Sequence, residues 1–169
     1  GIGILPEQEV AQAAGLVCEN GIVVDEYARA SDPNVYAIGD CANHPNPLLG
    51  RRLRLESVQN AIDQAKAAAL SIVGRPKIYA EVPWFWSDQY DLKLQIAGIS
   101  APGDEVVVRG DPATRKFAVF YLRDGHVAAV DAVNAVPEYM IGRQLIAQKK
   151  PADPAKLADP AVPMKSFTA

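Results

Sequence analysis

The stretch Ser31-Asp32-Pro33-Asn34-Val35-Tyr36-Ala37-Ile38-Gly39-Asp40-Cys41-Ala42 decides how the rest of the chain is read. Pro33-Asn34 is a turn signal, and the apolar run Val35-Tyr36-Ala37-Ile38 that follows reads as a short buried strand. That strand delivers Gly39, which has no side chain to obstruct a close approach, and then the carboxylate of Asp40. Open α/β folds bind ligands beyond the carboxyl ends of their strands, so Asp40 is expected to face one. A carboxylate accepts hydrogen bonds from hydroxyl groups, which makes a polyol such as a ribityl chain a sensible target.

On the amino-terminal side, Gly21-Ile22-Val23-Val24 is another β-rich run, and Glu7 to Ala14 reads as a short helix stopped at Gly15. The opening Gly1-Ile2-Gly3-Ile4-Leu5-Pro6 reads as the end of a buried strand rather than a natural start, so a truncated chain is expected. On the carboxyl side, Leu55, Val58, Ala61-Ile62, Ala65, Ala68-Ala69 and Ile72-Val73 recur at three- and four-residue steps. This period predicts a packed helix over Arg54 to Val73, with those residues on its buried face and Gly74 and Pro76 ending it. A linker follows at Lys77 to Pro83, and the sequence then turns strand-rich: Leu92 to Ile96, Val106 to Val108, Lys116 to Leu122 and His126 to Val133. Asp124-Gly125 between the last two is a hairpin signal, because a tight primed turn needs positive φ. A helix over about Pro137 to Gln148 and a largely extended Pro-rich tail from Pro151 to Pro163 complete the pattern. The expected fold class is therefore α/β plus α+β, divided into residues 1–80 and a small antiparallel-sheet domain over 81–169.

With 169 residues, 49% of them hydrophobic, the chain can form one sizeable core or two small ones. Its 17 basic and 20 acidic residues are mixed along the chain and give a net charge of −3, so no basic stripe marks a nucleic-acid partner. Cys18 and Cys41 stand too far apart for a redox CxxC pair and match no zinc-ligand spacing, which suits a reducing, cytoplasmic setting. No apolar stretch approaches the roughly 20 residues of a bilayer span, so no membrane association is expected. His44, in a loop with Pro45 and Pro47, and His126, at a strand start, read as structural or solvent-facing rather than as metal ligands.

The twelve-residue stretch resembles the second flavin-binding motif of the two-dinucleotide-domain FAD oxidoreductases, the pyridine nucleotide-disulfide oxidoreductase superfamily, in which the Asp of Gly-Asp binds the ribityl chain. On that resemblance Gly39 and Asp40 are cofactor-binding residues. Arg54-Leu55-Glu56-Ser57-Val58-Gln59-Asn60-Ala61 is similar to the next helix start in the ferredoxin-reductase branch, where a backbone N–H at the position of Val58 approaches the flavin's pyrimidine edge. The first amides of a helix lack intrahelical acceptors and its dipole favours negative charge there; Ser57 is at the same time a natural cap. By the same resemblance Glu56 stands near the nicotinamide carboxamide, the competing reading being an exposed charge favoured by the helix dipole. Pro83-Trp84-Phe85-Trp86-Ser87-Asp88-Gln89-Tyr90 is close to the segment that opens the C-terminal domain of putidaredoxin-reductase-like enzymes. A buried aromatic cluster is its ordinary explanation, but in the family a tryptophan matching Trp86 lies beside the isoalloxazine, with Trp84 as the second choice.

These segments, with Phe120-Tyr121-Leu122 and Val130-Asp131-Ala132-Val133-Asn134, cover nearly the whole chain in order. The resemblance implies a flavoprotein reductase that takes electrons from NAD(P)H through FAD to a 2Fe-2S ferredoxin serving a cytochrome P450 or a ring-hydroxylating dioxygenase. No side chain in it is expected to act as nucleophile or proton donor, so no catalytic residue is assigned, and no metal site. The family's two Gly-x-Gly-x-x-Gly units are missing from these residues. The expected partners are thus the ferredoxin, NAD(P)H and the N-terminal remainder of the same reductase, and the isolated chain is expected to bind FAD weakly or not at all. The alternative is a non-catalytic interaction or assembly module that retains the reductase fold. A thiol-disulfide reductase is disfavoured by the missing CxxC and the lack of a C-terminal His-Glu pair.

Overall fold

Sequence signals of very different strength build the two contact units of this chain, one ending at Glu81 and the other starting at Val82. The computed structural model describes residues 3–168. In the first unit, α1 (Glu9–Ala13) ends just before Gly15. Three short strands, β1 (Ile22–Val23), β2 (Ala42–Asn46) and β3 (Arg51–Arg54), form a mixed sheet in that order. β1 runs parallel to β2 with Ile22 beside Ala42, and β2 runs antiparallel to β3 with His44 opposite Leu53. Val24, Ala37 and Ala42 form a small apolar cluster against which Ile22 packs.

Several sequence expectations for this unit are corrected. The run Val35 to Ile38 makes only an isolated bridge, Tyr36 opposite Arg29, and does not enter the sheet. Its backbone is already committed to the preceding loop: Ala37 N–H donates to the Ala28 carbonyl at 3.1 Å, and the Val35 carbonyl accepts from Ala30 N–H at 2.8 Å. His44 and Pro45 lie in β2 rather than in a loop. β1 reaches only Ala42 and Asn43, so at Pro45 one side of the strand is free of ladder, a place where proline is tolerated. Residues 3–8 form no strand and Leu5 is 92% exposed, while Gly1 and Ile2 of the expected opening strand lie outside the described residues.

The long helix, α2, spans Val58–Ile72, later than expected because β3 occupies Arg51–Arg54 and Ser57 caps the start. Its buried residues are Gln59, Asn60, Gln64, Ala67 and Ala68, whereas Val58, Ile62, Ile72 and Val73 are exposed. Within this chain the periodic apolar residues are thus left largely uncovered, and Ala68 alone of them is buried among the described residues. What the rest of this unit offers α2 is polar: a glycine N–H, a carbonyl and a phenol, and buried polar groups require such partners.

In the second unit, β4 (Trp84–Gln89), β5 (Leu92–Gly98), β6 (Glu105–Asp111), β7 (Lys116–Arg123) and β8 (His126–Val133) form an antiparallel sheet ordered β4-β5-β8-β7-β6. Asp124 and Gly125, at φ +52° and +75°, form the two-residue turn between Arg123 and His126, as a primed hairpin demands. The aromatic segment after Pro83, not expected as a strand, is the edge strand β4. α3 (Val136–Gln148) buries Tyr139, Gly142, Leu145 and Ile146. A Cβ on Gly142 would lie 2.7 Å from Val130 and 3.3 Å from Phe120, so α3 approaches the sheet through that glycine.

The tail is not extended. Asp153 caps α4 (Pro154–Ala158), accepting from the N–H groups of Ala155 and Lys156, and a 3-10 turn follows at Met164–Phe167. Leu157 and Met164 bury apolar surface that an extended tail would leave wet. Arg109, itself buried, donates to the carbonyls of Leu157, Asp159, Pro160 and Val162 and pairs with Glu138 at 3.2 Å. No helix among the described residues is long and apolar enough to cross a membrane.

Candidate cofactor site

The Gly-Asp turn is held from both ends. Ile38 arrives extended, and Gly39–Cys41 wind into a 3-10 turn in which Gly39 takes φ +74°. A Cβ there would find room, 3.4 Å from that of Ala61, so the backbone conformation rather than crowding selects glycine. The Gly39 N–H donates to Gln64 Oε1 at 2.7 Å, and the Asp40 carbonyl accepts from Arg54 Nη1 at 3.0 Å. The Asp40 carboxylate itself is exposed and has no protein partner among the described residues. The backbone that carries it is thus held, while the carboxylate keeps its lone pairs free to accept.

The amino terminus of α2 supplies donors. Ser57 is extended at φ −145°, and its hydroxyl oxygen accepts from Asn60 N–H at 3.2 Å, the usual capping bond. Asn60 Nδ2 donates back to the Leu55 carbonyl at 3.1 Å. Val58 is the first helical residue, so its N–H has no carbonyl of its own helix to meet, and its side chain is 56% exposed. Glu56 is not a loose surface charge, since it pairs with Arg54 Nη2 at 2.9 Å.

Beneath these groups lies a polar layer that sequence reasoning missed. Tyr79 OH donates to Asn60 Oδ1 at 3.0 Å, and Gln59 Nε2 donates to Asp63 Oδ2 at 2.8 Å. Burial pushes the Tyr79 phenol up to about 12, which keeps it a neutral donor. The His44 ring sits 5.1 Å from that of Tyr79, and burial drops its pKa to about 4. Both His44 ring nitrogens and Gln64 Nε2 are buried with no hydrogen-bond partner among the described residues. Among the same residues no group of three or more His, Cys, Asp or Glu side chains is placed to hold a metal ion. The overlooked positioning residues are Gln64 and Arg54. Arg54 stood inside the motif quoted above, while a glutamine six residues into a helix carries no sequence signal of its own.

Trp86 belongs to the second unit. On β4 it alternates with Phe85, so Trp84 and Trp86 share a face with ring centroids 5.4 Å apart. The Arg143 guanidinium lies 5.6 Å from the Trp84 ring centroid, a cation–π contact that anchors Trp84 to α3. Trp86 remains 39% exposed and offers a flat aromatic surface.

Comparison with known proteins places residues 84–168 in the family model described as reductase C-terminal and residues 1–65 in that of pyridine nucleotide-disulphide oxidoreductase. The chain is 54% identical, over all of its length, to the 5,5'-dehydrodivanillate O-demethylase ferredoxin reductase subunit of a Sphingobium species, covering 41% of that protein. The crystal structure of the ferredoxin reductase for the CYP199A2 system from Rhodopseudomonas palustris superposes with a TM-score of 0.94 at 42% identity, covering 100% of this chain and 42% of that one. The covalent putidaredoxin reductase–putidaredoxin complex gives the same TM-score at 43% identity, covering 99% of this chain and 40% of that one. The chain thus spans about two-fifths of the length of the relatives it matches.

Proposed function

The chain belongs to the reductase C-terminal family, and from that premise we propose that it is part of a flavoprotein oxidoreductase passing electrons from NAD(P)H through FAD to a 2Fe-2S ferredoxin that serves an oxygenase. The observation that carries this reading is the free Asp40 carboxylate on a glycine turn gripped by Gln64 and Arg54, close in sequence and structure to the open amino terminus of α2. The residues fit FAD. A free carboxylate suits ribityl hydroxyls, the positive φ of Gly39 shapes the turn that presents it, and the Val58 N–H is a donor without an intrahelical partner.

FAD, when bound, supplies the hydride-accepting and one-electron chemistry, as cofactors do. The chain's own residues orient and tune. With FAD bound, Asp40 would accept from the ribityl chain, Val58 would offer its amide to the pyrimidine edge, Glu56 would be available to the nicotinamide carboxamide, and Trp86 would supply an aromatic face to the ring system. The helix dipole at Val58 favours negative charge at that edge. No proton transfer is assigned to any side chain. Residues 1–80 form the C-terminal segment of the FAD-binding domain and 81–169 the reductase C-terminal domain, whose likeness to the putidaredoxin-bound reductase supports a ferredoxin partner. Cys18 and Cys41 are separate free thiols, in keeping with a cytoplasmic location.

The test is anaerobic stopped-flow mixing of the full-length, FAD-loaded protein with NADH or NADPH and a 2Fe-2S ferredoxin. The reading predicts bleaching of the flavin band followed by reduction of the ferredoxin. A full-length protein that holds no flavin, or whose flavin is not bleached by either nucleotide, refutes it.

A further inference from the structure

We propose that Arg54 is a positioning residue that locks Glu56 to the Asp40 turn and neutralises the charge Glu56 would otherwise present at the amino terminus of α2. The proposal rests on the flavin reading above and deepens it. Arg54 bridges the two segments: Nη1 donates to the Asp40 carbonyl at 3.0 Å, and Nη2 pairs with Glu56 Oε1 at 2.9 Å. Its Nε donates to Asn20 Oδ1 at 3.1 Å, and Nη2 also reaches the Ile4 carbonyl at 3.5 Å. Acceptors thus meet all three guanidinium nitrogens. A planar fork of five N–H donors satisfies such an arrangement, and a lysine ammonium does not reproduce it.

The surroundings are shaped for this side chain. Arg54 is only 10% exposed. Gly21 leaves the space its stem occupies, because a Cβ there would come within 2.9 Å of Arg54 Cδ and 2.6 Å of the Cys41 carbonyl oxygen. The arginine stem and the Gly-Asp-Cys turn therefore pack over one glycine, and a move at either is felt by the other.

The electrostatic consequence concerns the helix terminus. The partial positive charge at the start of α2 favours an anion at the Val58 amide. Glu56, two residues earlier, carries a full negative charge that opposes this effect unless it is cancelled. The Arg54 ion pair cancels it while leaving the carboxylate, 36% exposed, able to accept from a carboxamide. Removing the cation leaves Glu56 to disfavour the reduced, more negative flavin. Removing the anion leaves Arg54 to favour it. A side chain that served packing alone would not give shifts of opposite sign.

The experiment is a reductive dye titration of the flavin midpoint potential in the full-length, FAD-loaded reductase and its Arg54→Met, Arg54→Lys and Glu56→Gln variants, with KM and kcat for NAD(P)H alongside. Arg54→Met is expected to lower the potential and Glu56→Gln to raise it. Arg54→Lys is expected to hold the potential near that of the parent while raising KM more than it lowers kcat, because charge is kept and the fork is lost. Shifts of the same sign, or none, for Arg54→Met and Glu56→Gln in proteins that hold stoichiometric flavin overturn the proposal. Should Arg54→Met fail to fold, Arg54→Lys and Glu56→Gln decide: an unmoved potential in Glu56→Gln, or an unmoved KM in Arg54→Lys, overturns it. Failure of the underlying reading looks different, since the parent protein would then hold no flavin at all.

Discussion

Acidification from pH 8 to pH 5 is expected to destabilise the first unit by about 2 kcal/mol through His44 alone. The ring is 1% exposed, packs against Tyr79, and has no hydrogen-bond partner at either nitrogen among the described residues. Burial lowers its pKa from 6.5 to about 4. The folded chain therefore holds neutral imidazole, while the unfolded chain takes up a proton near pH 6.5. The stabilisation is fully present above pH 6.5 and is lost as pH falls through the folded value, about 3 kcal/mol in all and about two-thirds of it by pH 5. Urea unfolding followed by backbone circular dichroism, run from pH 8 to pH 5 on the parent and on His44→Phe, isolates this contribution. Phenylalanine keeps an aromatic ring against Tyr79 and removes the titration. Taking the difference also cancels groups that act in the opposite sense, such as Asp131, whose carboxyl burial raises. The parent should lose about 2 kcal/mol relative to the variant between pH 8 and pH 5. A difference that stays flat to within about 0.5 kcal/mol would mean that folded His44 takes up its proton freely, and the argument from burial would be wrong.

Two further outcomes follow from named contacts. Gln64→Leu removes the acceptor of the buried Gly39 N–H but also removes the unpartnered Nε2; the net loss should be about 1–2 kcal/mol in urea, with weaker FAD binding in the full-length protein because the Asp40 turn is freed at one end. Arg109→Met strips four carbonyls and Glu138 of their donor and should cost about 3–5 kcal/mol, seen as rapid hydrogen exchange over residues 154–167 while β7 and β8 stay protected.

Local signals were the legible ones. Asp124-Gly125, the strands on either side of it and α3 were readable because turn chemistry and period act over a few residues. Gly39-Asp40 was readable because a glycine and a carboxylate after an apolar run is a local pattern, even though the run itself pairs with a loop instead of a sheet. The β2–β3 hairpin was hidden: His44-Pro45 and the arginine-rich Arg51–Arg54 show neither alternation nor β-propensity, and only pairing makes them strands. The apolar stripe of α2 stays largely uncovered within this chain, which spans about two-fifths of its relatives, while its polar face meets the Gly39 amide, the Leu55 carbonyl and Tyr79, contacts that no hydrophobic period encodes. The roles of Arg54 and Gln64 depend on contacts 14 and 25 residues away in sequence, which no local pattern encodes. Arg109 likewise organises a tail some 50 residues downstream, so the proline content there read as extended chain.

The central claim is that the Asp40 carboxylate is the acceptor for the ribityl chain of FAD. The most direct measurement is the FAD dissociation constant of the full-length apoprotein, by flavin fluorescence titration, for the parent, Asp40→Ala and the control Asp32→Ala, whose carboxylate instead closes the Asn34 turn. A hydrogen bond to a charged group contributes about 1.5–3 kcal/mol, so Asp40→Ala should weaken FAD binding between about tenfold and a hundredfold, with Asp32→Ala close to the parent. Equal affinity in the parent and Asp40→Ala, with the fold intact, would contradict the assignment of this turn as the flavin site.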